Sequence, residues 1–240
     1  MPEKINLFKH YRKLVFFLFN RYKGDNYKIM REYFAHILIS DVEEFIALNN
    51  KKILDVGGAS GEFCRILAKK RRCDAINLDP KPGKNPWKNT IIGKANKIPF
   101  DNNQFDLVIC RGVLEHIPTE KQEPSIKEMF RVTKKSGFCY IVIPPWFNFH
   151  AGHGSRPFHI FPFKIAKFLR ELFFKNKIIG NSFEDNNLYK ITCRRMERMI
   201  KNNGFKIVAT RDTHFRLHFF TKIPFFQEFT VPAVAFILKK

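Results

Sequence analysis

Apolar residues fall in two rhythms along this chain of 240 residues, and the alternation between them predicts a fold. Between residues 27 and 48, Met30, Phe34, Ile37, Leu38 and Phe45 recur at helical spacings, which predicts one or two amphipathic helices. Ile53-Leu54-Asp55-Val56 then ends in glycines and reads as the first buried strand. Ser60 is placed to cap a helix whose Phe63, Ile66 and Leu67 share a face, and the basic run Lys69 to Arg72 suits its C-terminal end. Cys73 to Leu78, closing on Asp79, is the second strand, Ile91-Ile92 a weak third and Phe105 to Cys110 a fourth. Pro124 fits the first turn of a helix that buries Ile126, Met129, Phe130 and Thr133 and closes at Lys134-Lys135-Ser136-Gly137. Phe138 to Ile143 is the fifth strand, stopped by Pro144-Pro145. Thr192 caps a helix with Met196, Met199 and Ile200 on one face, Gly204 ends it, and strands near 205–212 and 231–238 follow. Strands alternating with helices predict an α/β fold with a mostly parallel sheet and helices on both faces.

Composition narrows the class. With 45% apolar and 27% charged residues, the chain suits one compact domain, which excludes a disordered segment or a collagen-like fibre. Lysine and arginine number 43 against 22 acids, a net charge of +21, and residues 1–31 alone hold eight bases and two acids. That excess fits an anionic partner, and equally the codon bias of an AT-rich genome. Five scattered cysteines without a C-x-x-C pair predict reduced thiols and a cytoplasmic protein. The apolar stretch Leu14 to Phe19 is too short to span a bilayer, which takes about 20 residues, or to act as a signal peptide.

Candidate chemistry concentrates at Leu54-Asp55-Val56-Gly57-Gly58-Ala59-Ser60-Gly61-Glu62-Phe63. A strand runs into a glycine turn and then a helix, where backbone amides can approach a polar ligand closely. Asp79, at the end of the next strand, is placed to accept both hydroxyls of a ribose. Turn and acid together point to an adenosine cofactor and leave NAD and S-adenosyl-L-methionine both open.

Three further segments continue the pattern: Gly93-Lys94-Ala95-Asn96-Lys97-Ile98-Pro99-Phe100, Asp101 to Val108, and Gly112-Val113-Leu114-Glu115-His116-Ile117. In order and spacing, residues 50–145 resemble the class I S-adenosylmethionine-dependent methyltransferases, in particular the type-11 group. The resemblance implies a Rossmann-like, seven-stranded sheet with an antiparallel last strand, and S-adenosyl-L-methionine as cofactor. It implies that Asp55, Gly57, Gly58, Ala59 and Gly61 line the methionine moiety with Phe63 beside them, Asp79 the ribose, Ala95 and Asn96 the adenine edge, and Arg111 the methionine end. Two positions depart from the family pattern. Ala59 replaces a glycine, and Lys94 stands where an acid usually contacts the adenine amino group, a bond that an ammonium cannot accept.

The stretch from Pro144 to His159 leaves the same end of the sheet and carries His150, His153, Arg156 and His159 among aromatics. This predicts a substrate-binding insertion at about 146–190, with His153 the first choice of general base and His150 and His159 behind it. His116 is placed near the cofactor or at a structural helix start. The spacing His150-x-x-His153 can hold a divalent metal, but no carboxylate or cysteine lies nearby in sequence, so no metal is expected.

Residues 1–48 are expected to form a helical lid or membrane-contacting extension, through Phe8, Tyr11, Lys13, Phe16, Phe17, Phe19 and Lys23, and residues 49–240 the methyltransferase domain. The expected reaction is O-methylation of a sugar, a lipid-linked glycan or another small hydroxylated acceptor. RNA methylation is an alternative, against which stand the dispersed bases and the absence of an appended RNA-binding motif. A non-catalytic, membrane-peripheral protein keeping the fold is another.

Overall fold

The computed structural model describes residues 5–20, 23–174 and 178–240. Two helices, α1 (Leu7–Asn20) and α2 (Asn26–Glu43), precede β1 (Lys52–Val56), α3 (Glu62–Arg71), β2 (Asp74–Asp79), β3 (Thr90–Ile92) and β4 (Phe105–Arg111). There follow α4 (Thr119–Val132), β5 (Thr133–Ile143), α5 (Phe163–Phe174), α6 (Cys193–Asn202), β6 (Lys206–Asp212), α7 (Pro224–Phe229) and β7 (Val234–Lys239). The seven strands form one sheet in the order β3-β2-β1-β4-β5-β7-β6, in which β7 alone runs antiparallel to its neighbours. This is the Rossmann-like, seven-stranded sheet with an antiparallel last strand expected above.

The central strands read as unbroken apolar runs because both of their faces are covered. Side chains alternate along each strand. Leu54, Val108 and Cys110 join the core under Ile126 and Met129 of α4 and Met196 and Ile200 of α6. Ile53, Leu107 and Ile109 point the other way, into a core closed by Leu38 and Val42 of α2 and Leu67 of α3. Each fully buried Leu or Ile contributes about 1.5–3 kcal/mol of transfer free energy, so these two faces hold the sheet.

Several local expectations are corrected. Ser60 does not cap α3: the cap position is Gly61, with φ +74°, and the Ser60 carbonyl instead accepts from Arg65 Nη1 at 2.7 Å. The helix α4 starts at Thr119, five residues before Pro124, which lies inside it on an exposed turn. Nor does Lys134 to Gly137 close that helix. Thr133 already pairs with Phe105, and Lys134 Nζ reaches Asp106 at 2.9 Å, so the segment enters β5 through a register shift. The described part of residues 146–190 contains short 3-10 turns and a full helix, α5.

On the strand ends the geometry is decisive. From β1 the chain proceeds outward to β2 and β3 and then returns to place β4 on the other side of β1. The reversal opens a crevice at the carboxyl ends of β1 and β4, the position where such sheets bind ligands.

Candidate active site

The β1 to α3 turn is built from close contacts. The Gly57 amide donates to the Leu78 carbonyl at 2.7 Å. A Cβ on Gly57, whose φ is +76°, would stand 2.3 Å from Val113 Cγ2, and one on Gly58 would stand 2.3 Å from Asp55 Oδ2. Both glycines are therefore required sterically. Ala59 also sits in the left-handed region, with φ +51°. Its amide donates to Asp79 Oδ2 at 2.9 Å, and the Lys81 amide donates to Asp79 Oδ1 at 2.8 Å. Two backbone donors thus fix the carboxylate while each oxygen keeps a lone pair for a hydroxyl. Asp55 is buried, its Oδ2 has no hydrogen-bond partner, and burial raises its pKa to about 7 against the opposing pull of Arg111.

A cavity of about 400 Å³ opens beside this turn, lined by Gly57, Asp79, Gly93, Lys94, Ala95 and Asn96 together with Val113, His116 and Lys121. Of the residues expected to contact the donor, Gly57, Asp79, Ala95 and Asn96 line it. Asp55, Gly58, Ala59, Gly61 and Phe63 do not: they form or underpin the turn. Phe63 is buried in the core below Arg111, whose guanidinium carbon lies 5.0 Å from the ring centre. Ala95 and Asn96 are presented by a tight turn in which the Lys97 amide donates to the Lys94 carbonyl at 3.0 Å. The buried partnerless oxygen of Asp55, the steric demand for glycine and the Asp79 carboxylate fit an adenosine sulfonium donor. Lys94 lines the same cavity beside Ala95 and Asn96.

A second cavity, of about 280 Å³, lies on the other side of Gly112, which lines both. Its walls are Phe34 and Leu38 of α2 and Tyr140 of β5, and its polar groups are Arg111, Glu115, His150, His153, Arg156 and His214. Arg111 is thus placed with this cavity rather than with the first, and burial holds its pKa below the usual guanidinium value. His150 and His153 both line the cavity. His159 does not: it is 1% exposed, its Nε2 lies 2.8 Å from the Trp146 carbonyl, and its ring packs edge-on against that indole. Burial lowers its pKa, and it serves to hold the loop. A larger hollow of about 430 Å³, between α1 and α2, is lined by Lys9, Lys13, Lys70 and Arg71 and lies away from the strand ends.

Between the cavities stand Glu115, His116 and His153. His153 Nε2 lies 3.9 Å from Glu115 Oε1, and the two imidazole rings are 4.7 Å apart. Glu115 is buried although it lies in the 3-10 turn after β4, because the insertion folds over it: the Tyr189 amide donates to the Glu115 carbonyl at 2.8 Å. Sequence spacing gave no sign of this approach, since 38 residues separate Glu115 from His153. The α2 residues Phe34 and Leu38 were legible as an apolar face, but not as the wall of a site. Of the extension, α1 buries only His10 and Phe17 and leaves Phe8, Val15, Leu18 and Phe19 exposed.

Comparison with known proteins agrees with this geometry. Residues 54–141 match the family model described as "Methyltransferase domain". An uncharacterized methyltransferase of Mycobacteroides abscessus is 24% identical over 222 residues, which cover 84% of this chain and 82% of that protein. Among solved structures, an S-adenosylmethionine-dependent methyltransferase from Archaeoglobus fulgidus superposes with a TM-score of 0.55 at 15% identity, over 90% of this chain and all of the other. The Burkholderia thailandensis 1,6-didemethyltoxoflavin-N1-methyltransferase, solved with its substrate and S-adenosylhomocysteine, gives 0.57 at 10% identity, over 99% and 92% of the two chains. The chain carries a class I S-adenosylmethionine-dependent methyltransferase domain of the type-11 group, and it is an enzyme whose cofactor is S-adenosyl-L-methionine.

Proposed function

We propose that the enzyme methylates a hydroxyl oxygen of a small polyhydroxylated acceptor, a sugar or the head of a lipid-linked glycan, held in the cavity of Arg111, His150 and Arg156. The observation that carries this reading is the contact between the two cavities at Gly112, with cations and imidazoles on the acceptor side and aromatic walls from Phe34 and Tyr140. When bound, the cofactor supplies a methyl group already activated on sulfur. The chain's contribution is alignment, worth about 7–11 kcal/mol for well-oriented reactants, and removal of the hydroxyl proton. Arg111 and Arg156 are suited to hydroxyl or phosphate oxygens. His150 is assigned the proton, because the His153 nitrogen is turned toward Glu115. Residues 146–190 act in this reading as the acceptor-binding insertion.

The extension has a matching role. Lys9, Arg12 and Lys13 share α1 with exposed Phe8, Phe16 and Phe19, a composition that suits an anionic membrane surface and would bring the enzyme to a lipid-linked acceptor. Five buried free cysteines suit a reducing cytoplasm, at the inner face of that membrane. No helix among the described residues is long and apolar enough to cross a membrane.

The test is transfer of labelled methyl from S-adenosyl-L-methionine to glycan and lipid-linked glycan fractions. Label is expected on an oxygen of the glycan, with the rate falling about 100-fold or more in His150→Ala while donor affinity holds. Label recovered on RNA or on a carbon or nitrogen acceptor, or an unchanged rate in the variant, contradicts the proposal.

A further inference from the structure

The geometry points to a divalent transition-metal site formed by Glu115, His116 and His153 at the junction of the donor and acceptor cavities. One ligand atom from each residue lies within 4.8 Å of the other two. A cation bound tetrahedrally at about 2.0–2.2 Å from each would hold the ligand atoms about 3.4 Å apart, so they would draw together by up to about 1.4 Å. That adjustment is available: His153 is on an exposed 3-10 turn, with its side chain 49% accessible.

Two independent features mark the group as a ligand set rather than a chance cluster. Glu115 is 3% exposed, and its Oε2 has no hydrogen-bond partner, so a buried carboxylate oxygen is left for a cation to satisfy. His116 Nδ1 lies 2.7 Å from the Asn187 carbonyl. A carbonyl can only accept, so the proton sits on Nδ1 and the lone pair on Nε2, the tautomer that metal-ligating histidines take when a carbonyl orients them. Two imidazoles and one carboxylate favour Mn²⁺, Fe²⁺, Co²⁺ or Zn²⁺ over Mg²⁺ or Ca²⁺, which take oxygen ligands. Three protein ligands leave coordination positions open. Glu115 and His153 line the acceptor cavity and His116 the donor cavity, so an open position can face either.

The site stands without the acceptor assignment, but its role rests on it. A hydroxyl coordinated to the cation becomes more acidic, its O–H bond breaks with the electron pair kept on oxygen, and the proton passes to His150.

The experiment is titration of chelator-stripped full-length protein with CoCl₂, followed by visible absorption, with calorimetric titration of S-adenosyl-L-methionine on the same samples. Saturation at one Co²⁺ per chain with ligand-field bands is expected, weakened about tenfold or more in Glu115→Gln and in His153→Ala. His153 is exposed, so its variant decides the matter if Glu115→Gln does not fold. No saturable cobalt band, or unchanged affinity in His153→Ala, overturns the site. Donor binding without cobalt binding overturns the metal site alone, whereas cobalt binding without donor binding keeps it and overturns the donor cavity.

Discussion

Ala59 and Asp79 hold each other: the amide of a residue at φ +51° donates 2.9 Å to the carboxylate at the tip of β2. An L-residue in the left-handed region carries a local cost that glycine does not, yet here it delivers the amide to the acid. Ala59→Gly should relieve that cost. We expect the variant to be more stable by up to about 1 kcal/mol, partly offset by the looser unfolded chain, with donor affinity retained. Chemical denaturation monitored by circular dichroism measures it, and a loss of stability would mean that the Ala59 methyl packs usefully.

Asp55 sets a pH dependence whose sign is fixed by its burial. Its folded pKa, about 7, lies above the ordinary carboxylate value of 3.8. The folded state therefore holds a proton that the unfolded chain has released, and stability falls as pH rises between about 4 and 7. Holding the carboxyl at about 7 rather than 3.8 corresponds to a cost on the order of 4 kcal/mol at neutral pH. His214 and His218, whose burial lowers their pKa to about 3 and about 4, act in the opposite sense, since neutral imidazoles favour folding above about 6.5. The informative quantity is thus the difference between Asp55→Asn and the parent. We expect the variant to gain relative stability from pH 4 to pH 7 in thermal melts; a difference independent of pH would show that Asp55 titrates normally.

Thr192 caps α6 with Oγ1 accepting from the Arg195 amide at 3.1 Å. Thr192→Ala should cost about 1 kcal/mol, within a range of about 0.5–2. Thr192→Ser should restore most of it. Equal melting temperatures for the alanine variant and the parent would show that the bond contributes nothing.

If α1 docks on anionic lipid, Phe8→Ser with Phe19→Ser should abolish co-sedimentation with phosphatidylglycerol vesicles. Both side chains are exposed, at 72% and 71%, so folding should be unaffected. Binding of the double variant equal to that of the parent rules out this face.

How far the sequence predicted these features depended on range. The strands β1, β4 and β5 were readable because burial on both faces leaves no alternation to confuse, and Thr192 because a cap acts within its own turn. The start of α4 was misplaced because Pro124 usually marks a first turn, whereas here its missing amide falls on an exposed stretch of helix. Of the three histidines in one loop, the sequence put His153 first and His150 and His159 behind it. The fold separates them: His159 is packed on Trp146, whereas His150 and His153 both line the cavity beside Arg111 and His153 also meets Glu115. That last approach depends on residues 146–190 folding back over β4, a long-range event with no local signature.

The proposed role of Asp79 as the anchor of the donor is tested most directly by calorimetric titration of S-adenosyl-L-methionine into the parent and Asp79→Ala. The parent should bind with a saturable isotherm. The variant should bind at least about tenfold more weakly, the scale of one lost charge-assisted hydrogen bond of about 1.5–3 kcal/mol, while far-ultraviolet circular dichroism shows the fold intact. Equal affinities in the two proteins, or no binding by the parent, would contradict it.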